Sequence, residues 1–197
     1  SVSESDWYGA GKNAQVVVIA SDNGSIASYD ISVGTSAGSD DVISWFKSDT
    51  NHITIDISSL SENIRYYSNA RATDGLGNVS NIVSSNGFEL DLTAPITGTV
   101  SNGDSYTSET THINLTWSGF SDSKSGLSHY EYSLGTQAGS ANTVARTNAG
   151  LSESVKIENL SLEENQTYYG TVYAIDNTGN ESFASSSGLF VDISPPT

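Results

Sequence analysis

Tyr66-Tyr67-Ser68-Asn69-Ala70-Arg71-Ala72-Thr73-Asp74-Gly75-Leu76-Gly77-Asn78-Val79-Ser80 returns further along the chain as Tyr168-Tyr169-Gly170-Thr171-Val172-Tyr173-Ala174-Ile175-Asp176-Asn177-Thr178-Gly179-Asn180-Glu181-Ser182. Each copy runs on to a closing stretch, Gly87-Phe88-Glu89-Leu90-Asp91-Leu92-Thr93-Ala94-Pro95 in the first and Gly188-Leu189-Phe190-Val191-Asp192-Ile193-Ser194-Pro195-Pro196 in the second. The offset is 102 residues at the tyrosines and 101 at the final prolines, so one residue separates the two copies in length. A repeat of this period suits a small all-β sandwich of about 100 residues. The chain of 197 residues therefore reads as two domains, 1–95 and 96–197.

Outward from the repeat, short alternating segments are bounded by Gly, Asn, Asp and Ser, as strands are. Gln15 to Ala20 forms one. Ile26 to Val33 is another, with Tyr29, Ile31 and Val33 on one face. Val42 to Phe46 is a third, and His52 to Ile57 turns Ile53, Ile55 and Ile57 to the core. In the second half Ile113 to Trp117 and Leu127 to Leu134 alternate; the latter points Tyr130, Tyr132 and Leu134 inward and His129 and Glu131 outward. Gly135-Thr-Gln-Ala-Gly139 matches Gly34-Thr-Ser-Ala-Gly38, and Val155 and Ile157 match the isoleucine strand. No segment carries a capped 3.6-residue period.

Leu60 stands six residues before Tyr66, and Leu162 six before Tyr168. These pairs resemble the tyrosine corner of fibronectin type III domains, in which a phenol closes the turn between strands E and F. The inward row Tyr168, Gly170, Val172, Ala174 resembles strand F of that fold, and Trp117 its strand-B tryptophan. The first half has no such tryptophan near Val18 and Ile19. The resemblance implies an all-β chain of two tandem fibronectin-III-like antiparallel sandwiches. The Asp-x-Thr-x-Pro run at Asp91 to Pro95 and the Gly-Asn-x-Ser turns resemble domains strung in arrays on bacterial surface and secreted proteins. They imply an extracellular or cell-surface setting.

Proline fixes φ and restricts the residue before it, so Thr93-Ala94-Pro95 reads as a short, stiff link. Pro195-Pro196-Thr197 repeats that signal, and with no methionine in the chain it predicts a fragment followed by a further domain. There is no cysteine, which excludes a disulfide framework and thiolate chemistry. Seven basic and 23 acidic residues give a net charge of −16, divided evenly between the halves. Such a surface repels nucleic acid and anionic membrane, and no apolar run is long enough to insert into a bilayer.

The chemistry-bearing motifs are few. Gly34-Thr-Ser36-Ala-Gly38 matches the nucleophile elbow, but an elbow joins a strand to a helix, and the second copy puts Gln137 where Ser36 stands. Ser121-Asp-Ser-Lys124 matches Ser-x-x-Lys without a companion Lys-Thr-Gly. Neither supports catalysis. In the fibronectin topology, Asp40, Asp41, Glu62 and Asp91 of the first half are expected to meet Asp122, Asp176 and Glu181 of the second. That is a set of hard oxygen donors suited to calcium; the competing reading is that Asp74 and Asp176 cap their own turns. A glycan-binding face is expected at Tyr169 and Tyr173 beside His129 and Glu131, with Trp7 and Trp45 as further rings. The expected role is a non-catalytic structural or adhesive spacer in a larger secreted or cell-surface protein. Its partners would be further domains of the same chain and a cell-surface protein or glycan. The alternative is a carbohydrate- or protein-binding accessory module of a secreted enzyme.

Overall fold

The computed structural model describes residues 1–195, so Pro196 and Thr197 of the closing proline signal lie outside the described residues. The chain divides into two compact units, Ser1–Leu92 and Thr93–Thr197. Each is all-β.

In the first unit β1 (Val2–Ser3), β3 (Asn13–Val18) and β6 (His52–Asp56) form one antiparallel sheet, in the order β1-β3-β6. A second sheet orders β5 (Ile43–Ser48), β4 (Ile26–Gly34), β7 (Tyr67–Asp74) and β8 (Val83–Ser84) as β5-β4-β7-β8. The short β2 (Trp7–Tyr8) pairs in parallel with β9 (Glu89–Leu90). Strand A is therefore split: its first part joins the β3 sheet and its second part the last strand. The second unit repeats this plan. One sheet orders β10 (Thr99–Ser101), β12 (Ile113–Ser118) and β15 (Ser154–Ile157). The other runs through β11 (Tyr106–Thr107), β18 (Leu189–Val191), β16 (Thr167–Asp176), β13 (Leu127–Gly135) and β14 (Val144–Gly150), with β17 (Glu181–Ser185) also on β16. This is the A-B-E and C′-C-F-G arrangement of the fibronectin type III fold, present twice.

Alternation along the strands sorts the side chains. Val16, Ile53, Ile55, Ile31, Val33 and Ala70 come together from the facing sheets of the first unit; Leu115, Ile157, Leu134, Val172 and Ala174 do so in the second. The two cores place their aromatic volume at opposite ends. In register, Val18 of the first unit stands where the second has Trp117: each donates its amide to the residue just ahead of the facing strand, Asn51 or Glu153. Trp117 packs edge-on against Tyr130 (5.6 Å), which also meets Phe120. The first unit instead stacks Tyr8, Phe88 and Tyr66 near the other pole, with ring centroids 5.3 and 5.7 Å apart. The missing strand-B tryptophan is thus offset by an aromatic cluster elsewhere.

Both tyrosine corners are formed. The Tyr66 hydroxyl accepts from the Ser61 amide at 3.0 Å and lies 3.3 Å from the Ser61 carbonyl; the Tyr168 hydroxyl accepts from the Glu163 amide at 3.0 Å. Both rings are buried. Removing either hydroxyl leaves a partly buried amide without its acceptor, at a cost of about 1 kcal/mol. Tyr66→Phe and Tyr168→Phe are each expected to lower stability by that amount, read as a shift in denaturation midpoint without a change in slope.

The one-residue difference between the repeats also has a place. In the second unit strand G begins as an unbroken ladder, with Ile175 opposite Glu181 through Thr171 opposite Ser185. In the first unit the ladder is reduced to the bridge Thr73–Val79 and the pair β7–β8. Between Ser80 and Val83 the first unit has two residues, Asn81 and Ile82, where the second has only Phe183. The extra residue interrupts the strand, as a bulge does, and leaves Ile82 and Val83 exposed.

Candidate functional site

Several of the hydroxyls and carboxylates singled out by sequence are held by their own turns. The turn after β4 shows this most directly. Asp41 accepts from the Thr35 amide (2.9 Å), the Thr35 hydroxyl (2.7 Å) and the Ser39 hydroxyl (2.7 Å). These bonds, that from the Thr35 hydroxyl foremost, lower its pKa to about 2. The second unit keeps the same turn with an amide: Asn142 accepts from the Thr136 amide at 3.0 Å and donates to the Thr136 hydroxyl at 2.9 Å. A position that works equally with Asn or Asp is doing turn chemistry that needs no charge. The surrounding glycines follow from the close approach, since a Cβ on Gly34 or Gly135 would fall 1.9 Å from the Ser39 or Ser140 hydroxyl. Ser36 sits in this strand-to-strand turn between β4 and β5, and its amide and carbonyl bond the Ser39 side chain.

Asp176 is nearly fully buried. Its Oδ1 accepts the amides of Thr178 (2.8 Å), Gly179 (2.6 Å) and Asn180 (2.9 Å), and its Oδ2 accepts the Asn180 side-chain amide at 2.8 Å. Asp74 does the same for Leu76 and Asn78, and these bonds, chiefly those from Asn78, lower its pKa. Gly77 and Gly179 supply the positive φ both turns require, +90° and +97°. The turn-capping reading of Asp74 and Asp176 therefore describes what these groups do in the fold. Asp122 caps its own loop through the amides of Lys124 (3.1 Å) and Gly126 (2.8 Å), and one of its oxygens lies within 4.8 Å of one from Asp176. Among the other expected calcium ligands, Asp40 is exposed and Asp91 buried, while Glu62 accepts the Leu92 amide at 2.7 Å. Glu181 is bound to Arg146.

The expected glycan face has a different construction from the one its residues suggest. Tyr173 does point away from the core of the second unit, between Glu131 and Phe183 on the neighbouring strands, but it is only 7% exposed. The Arg146 guanidinium lies 3.8 Å above its ring, held by Glu131 (2.6 Å) and Glu181 (2.6 Å), and His129 is 3.7 Å from Glu131. Hydrogen bonding to Glu181 is the main cause that raises the Arg146 pKa. His129, Glu131 and Tyr173 are thus brought together, with a cation already on the ring. Tyr169 lies elsewhere along β16, against Gly188, where it shares a shallow groove with Tyr106 and Phe190. Sequence reading found Tyr169 but missed Tyr106 and Phe190, because both lie on strands of two or three residues too short to show alternation. In the first unit Trp45 is likewise covered, with Arg71 at 4.8 Å from its ring centre and 3.0 Å from Asp30, and Trp7 is half-buried.

One half-buried carboxylate was not foreseen. Glu4 accepts from the hydroxyls of Ser68 and Ser85. Burial raises its pKa, against the lowering effect of those bonds. A raised pKa means the folded state holds the proton where the unfolded chain, near 4.5, has released it. Stability therefore falls as pH rises from about 4.5 through the folded value. Glu4→Gln is expected to remove that slope and to stabilise the protein at neutral pH, measured as denaturation midpoints across pH 4 to 8.

No protein-family model and no curated protein matches this sequence. Among solved structures, the chain is similar to the FN1-FN3 domains of chicken CNTN1, with 13% identity and a TM-score of 0.47 over 93% of this chain and 66% of that one. It is also similar to a crystal structure of domains from titin, with 15% identity and a TM-score of 0.48 over 93% of this chain and 59% of that one. The chain thus spans about two thirds or less of the length of these structures.

Proposed function

We propose that the chain is a non-catalytic structural spacer, with an adhesive role, within a larger secreted or cell-surface protein whose further domains are its immediate partners. The observation that carries this reading is the fate of the reactive-looking groups. Ser36, Asp41, Asp122 and Asp176 are each tied into the turn they belong to, and the repeat holds one of those turns equally well with Asn142. Hydrogen bonds of that kind keep loops folded and commit these four groups to their turns. Pulling the chain from its ends tests the reading. A spacer gives two separate unfolding events, each releasing about 300 Å of chain. Gradual extension without discrete events overturns it.

The accessory-module reading is favoured by the exposed aromatic groove of the second unit. A carbohydrate array in which a neutral glycan binds and Tyr169→Ala abolishes binding would select it over the spacer. Calcium stays with the proposal as the ion for the acidic set named above. Within the second unit, Asp122 and Asp176 offer two carboxylates where Ca²⁺ takes about six to eight oxygens, so backbone carbonyls and waters would have to supply much of the shell. A melting temperature that does not move on adding millimolar calcium removes the ion from the account.

A further inference from the structure

The two units build the same corner and fill it differently. In the first, Tyr67 rests on Gly87: a Cβ there would meet the Tyr67 ring at 3.1 Å and the Arg65 Nε at 2.9 Å. In the second, a Cβ on Gly188 would meet the Tyr169 ring at 3.0–3.1 Å, and the atom in Arg65's place is the Thr167 methyl, 2.5 Å from the same point. The ladders put the positions in register. Trp7 faces Glu89 as Tyr106 faces Phe190, and the amide after each pair reaches back to Tyr8 or Thr107. Arg65 and Thr167 are equivalent, as are Glu89 and Phe190.

Arg65 lays its guanidinium along this corner. It donates to the Asn86 carbonyl (2.8 Å) and the Gly87 carbonyl (3.2 Å), and pairs with Glu89 at 3.1 Å. Threonine is too short to do this. Its replacement leaves a shallow groove of about 460 Å³ lined by Ser105, Tyr106, Thr167, Tyr169, Gly188 and Phe190. Tyr106 is 69% exposed and stands edge-on to Phe190 at 5.9 Å. Two outward rings elsewhere in the chain carry an internal guanidinium, Arg146 on Tyr173 and Arg71 on Trp45. The residues of the second unit sum to a net charge of −8, a field that draws cations and repels anions.

We infer that this groove of the second unit is a docking site for an arginine side chain of a partner polypeptide, which would lie against Tyr106 and Tyr169 where the first unit uses its own Arg65. A planar, weakly hydrated guanidinium is the cation that stacks on aromatic faces while donating to backbone carbonyls. Lysine would bring a compact, strongly hydrated charge. This inference goes beyond the spacer reading and does not depend on it.

The test uses the whole chain and a short capped peptide, Gly-Gly-Arg-Gly-Gly, followed by backbone and ring resonances. Binding is expected to shift the amides of Thr167, Gly188 and Phe190 and the Tyr106 ring, and to weaken about tenfold or more with lysine or citrulline in arginine's place. Thr167→Arg is expected to abolish it by supplying the side chain internally. Because that variant restores what the first unit already contains, it should fold, and an unshifted spectrum outside the groove checks that it does. Tyr106→Ala should weaken binding without unfolding, its ring being mostly in solvent. Groove resonances that do not move, equal binding of the citrulline peptide, undiminished binding to Thr167→Arg, or a groove that takes a neutral oligosaccharide and not the peptide would each overturn the inference.

Discussion

Replacing Trp117 with alanine is expected to destabilise the second unit by about 3–5 kcal/mol, the range for deleting a large buried aromatic. The ring is 4% exposed and touches both sheets through its contact with Tyr130 and its neighbours in the core. Deleting it removes its own burial and also strands Tyr130, which loses one of the two rings, Trp117 and Phe120, that hold it edge-on. Trp117→Phe should cost much less. Phenylalanine keeps most of the buried area, and the indole N–H it removes is buried with no hydrogen-bond partner among the described residues, so nothing polar is lost with it. A chemical denaturation series on the two variants checks the ordering. Equal losses from both would mean that packing at this pole is not what holds the strands together.

The same residue shows how far sequence reaches. Trp117, the two tyrosine corners and the Ile53–Ile57 strand were legible because each is a local pattern with one dominant physical cause: burial of alternate side chains or a fixed spacing to a hydrogen bond. The split of strand A was not legible. Val2–Ser3 and Trp7–Tyr8 are two residues each, and a period of two cannot be seen in so short a run. The place of the extra residue, at Asn81–Ile82, became visible only when the ladders of both units could be counted. Parity along β16 puts the Tyr173 ring outside the core, but the guanidinium over it comes from Arg146, on a strand whose side chains are mostly exposed on both faces. No local rule ties those two positions together. Position 65 against 167 is a similar case, since an Arg-to-Thr difference between repeats means little until both are seen beside a glycine and a tyrosine ring.

The buried asparagine of the first unit allows the repeat to serve as its own control. Asn69 is completely buried. Its oxygen accepts from the Gly38 amide at 2.7 Å and the Ser84 hydroxyl at 2.6 Å, and its nitrogen donates to the Ser39 carbonyl at 2.6 Å. One side chain on strand F thereby joins the turn between β4 and β5 to strand G. Asn69→Ala leaves the Gly38 amide without its acceptor and the Ser39 carbonyl with only the Ser32 hydroxyl at 3.3 Å, in a partly buried setting where each unmet group costs about 1–3 kcal/mol. The expected loss is about 3 kcal/mol, with the turn after β4 losing amide protection first. Thr171 holds the equivalent place in the second unit, accepting from the Gly139 amide at 3.1 Å with Ser185 at 2.9 Å. A hydroxyl can therefore satisfy the turn amide but has no second donor for the Ser39 carbonyl. Asn69→Thr is expected to recover the Gly38 bond and roughly half of the lost stability, and hydrogen exchange at Gly38 should slow again even though the total does not return. Full recovery by threonine would show that the Ser39 bond contributes nothing. No recovery would show that the turn depends on the geometry of the amide group and not on the number of bonds it makes.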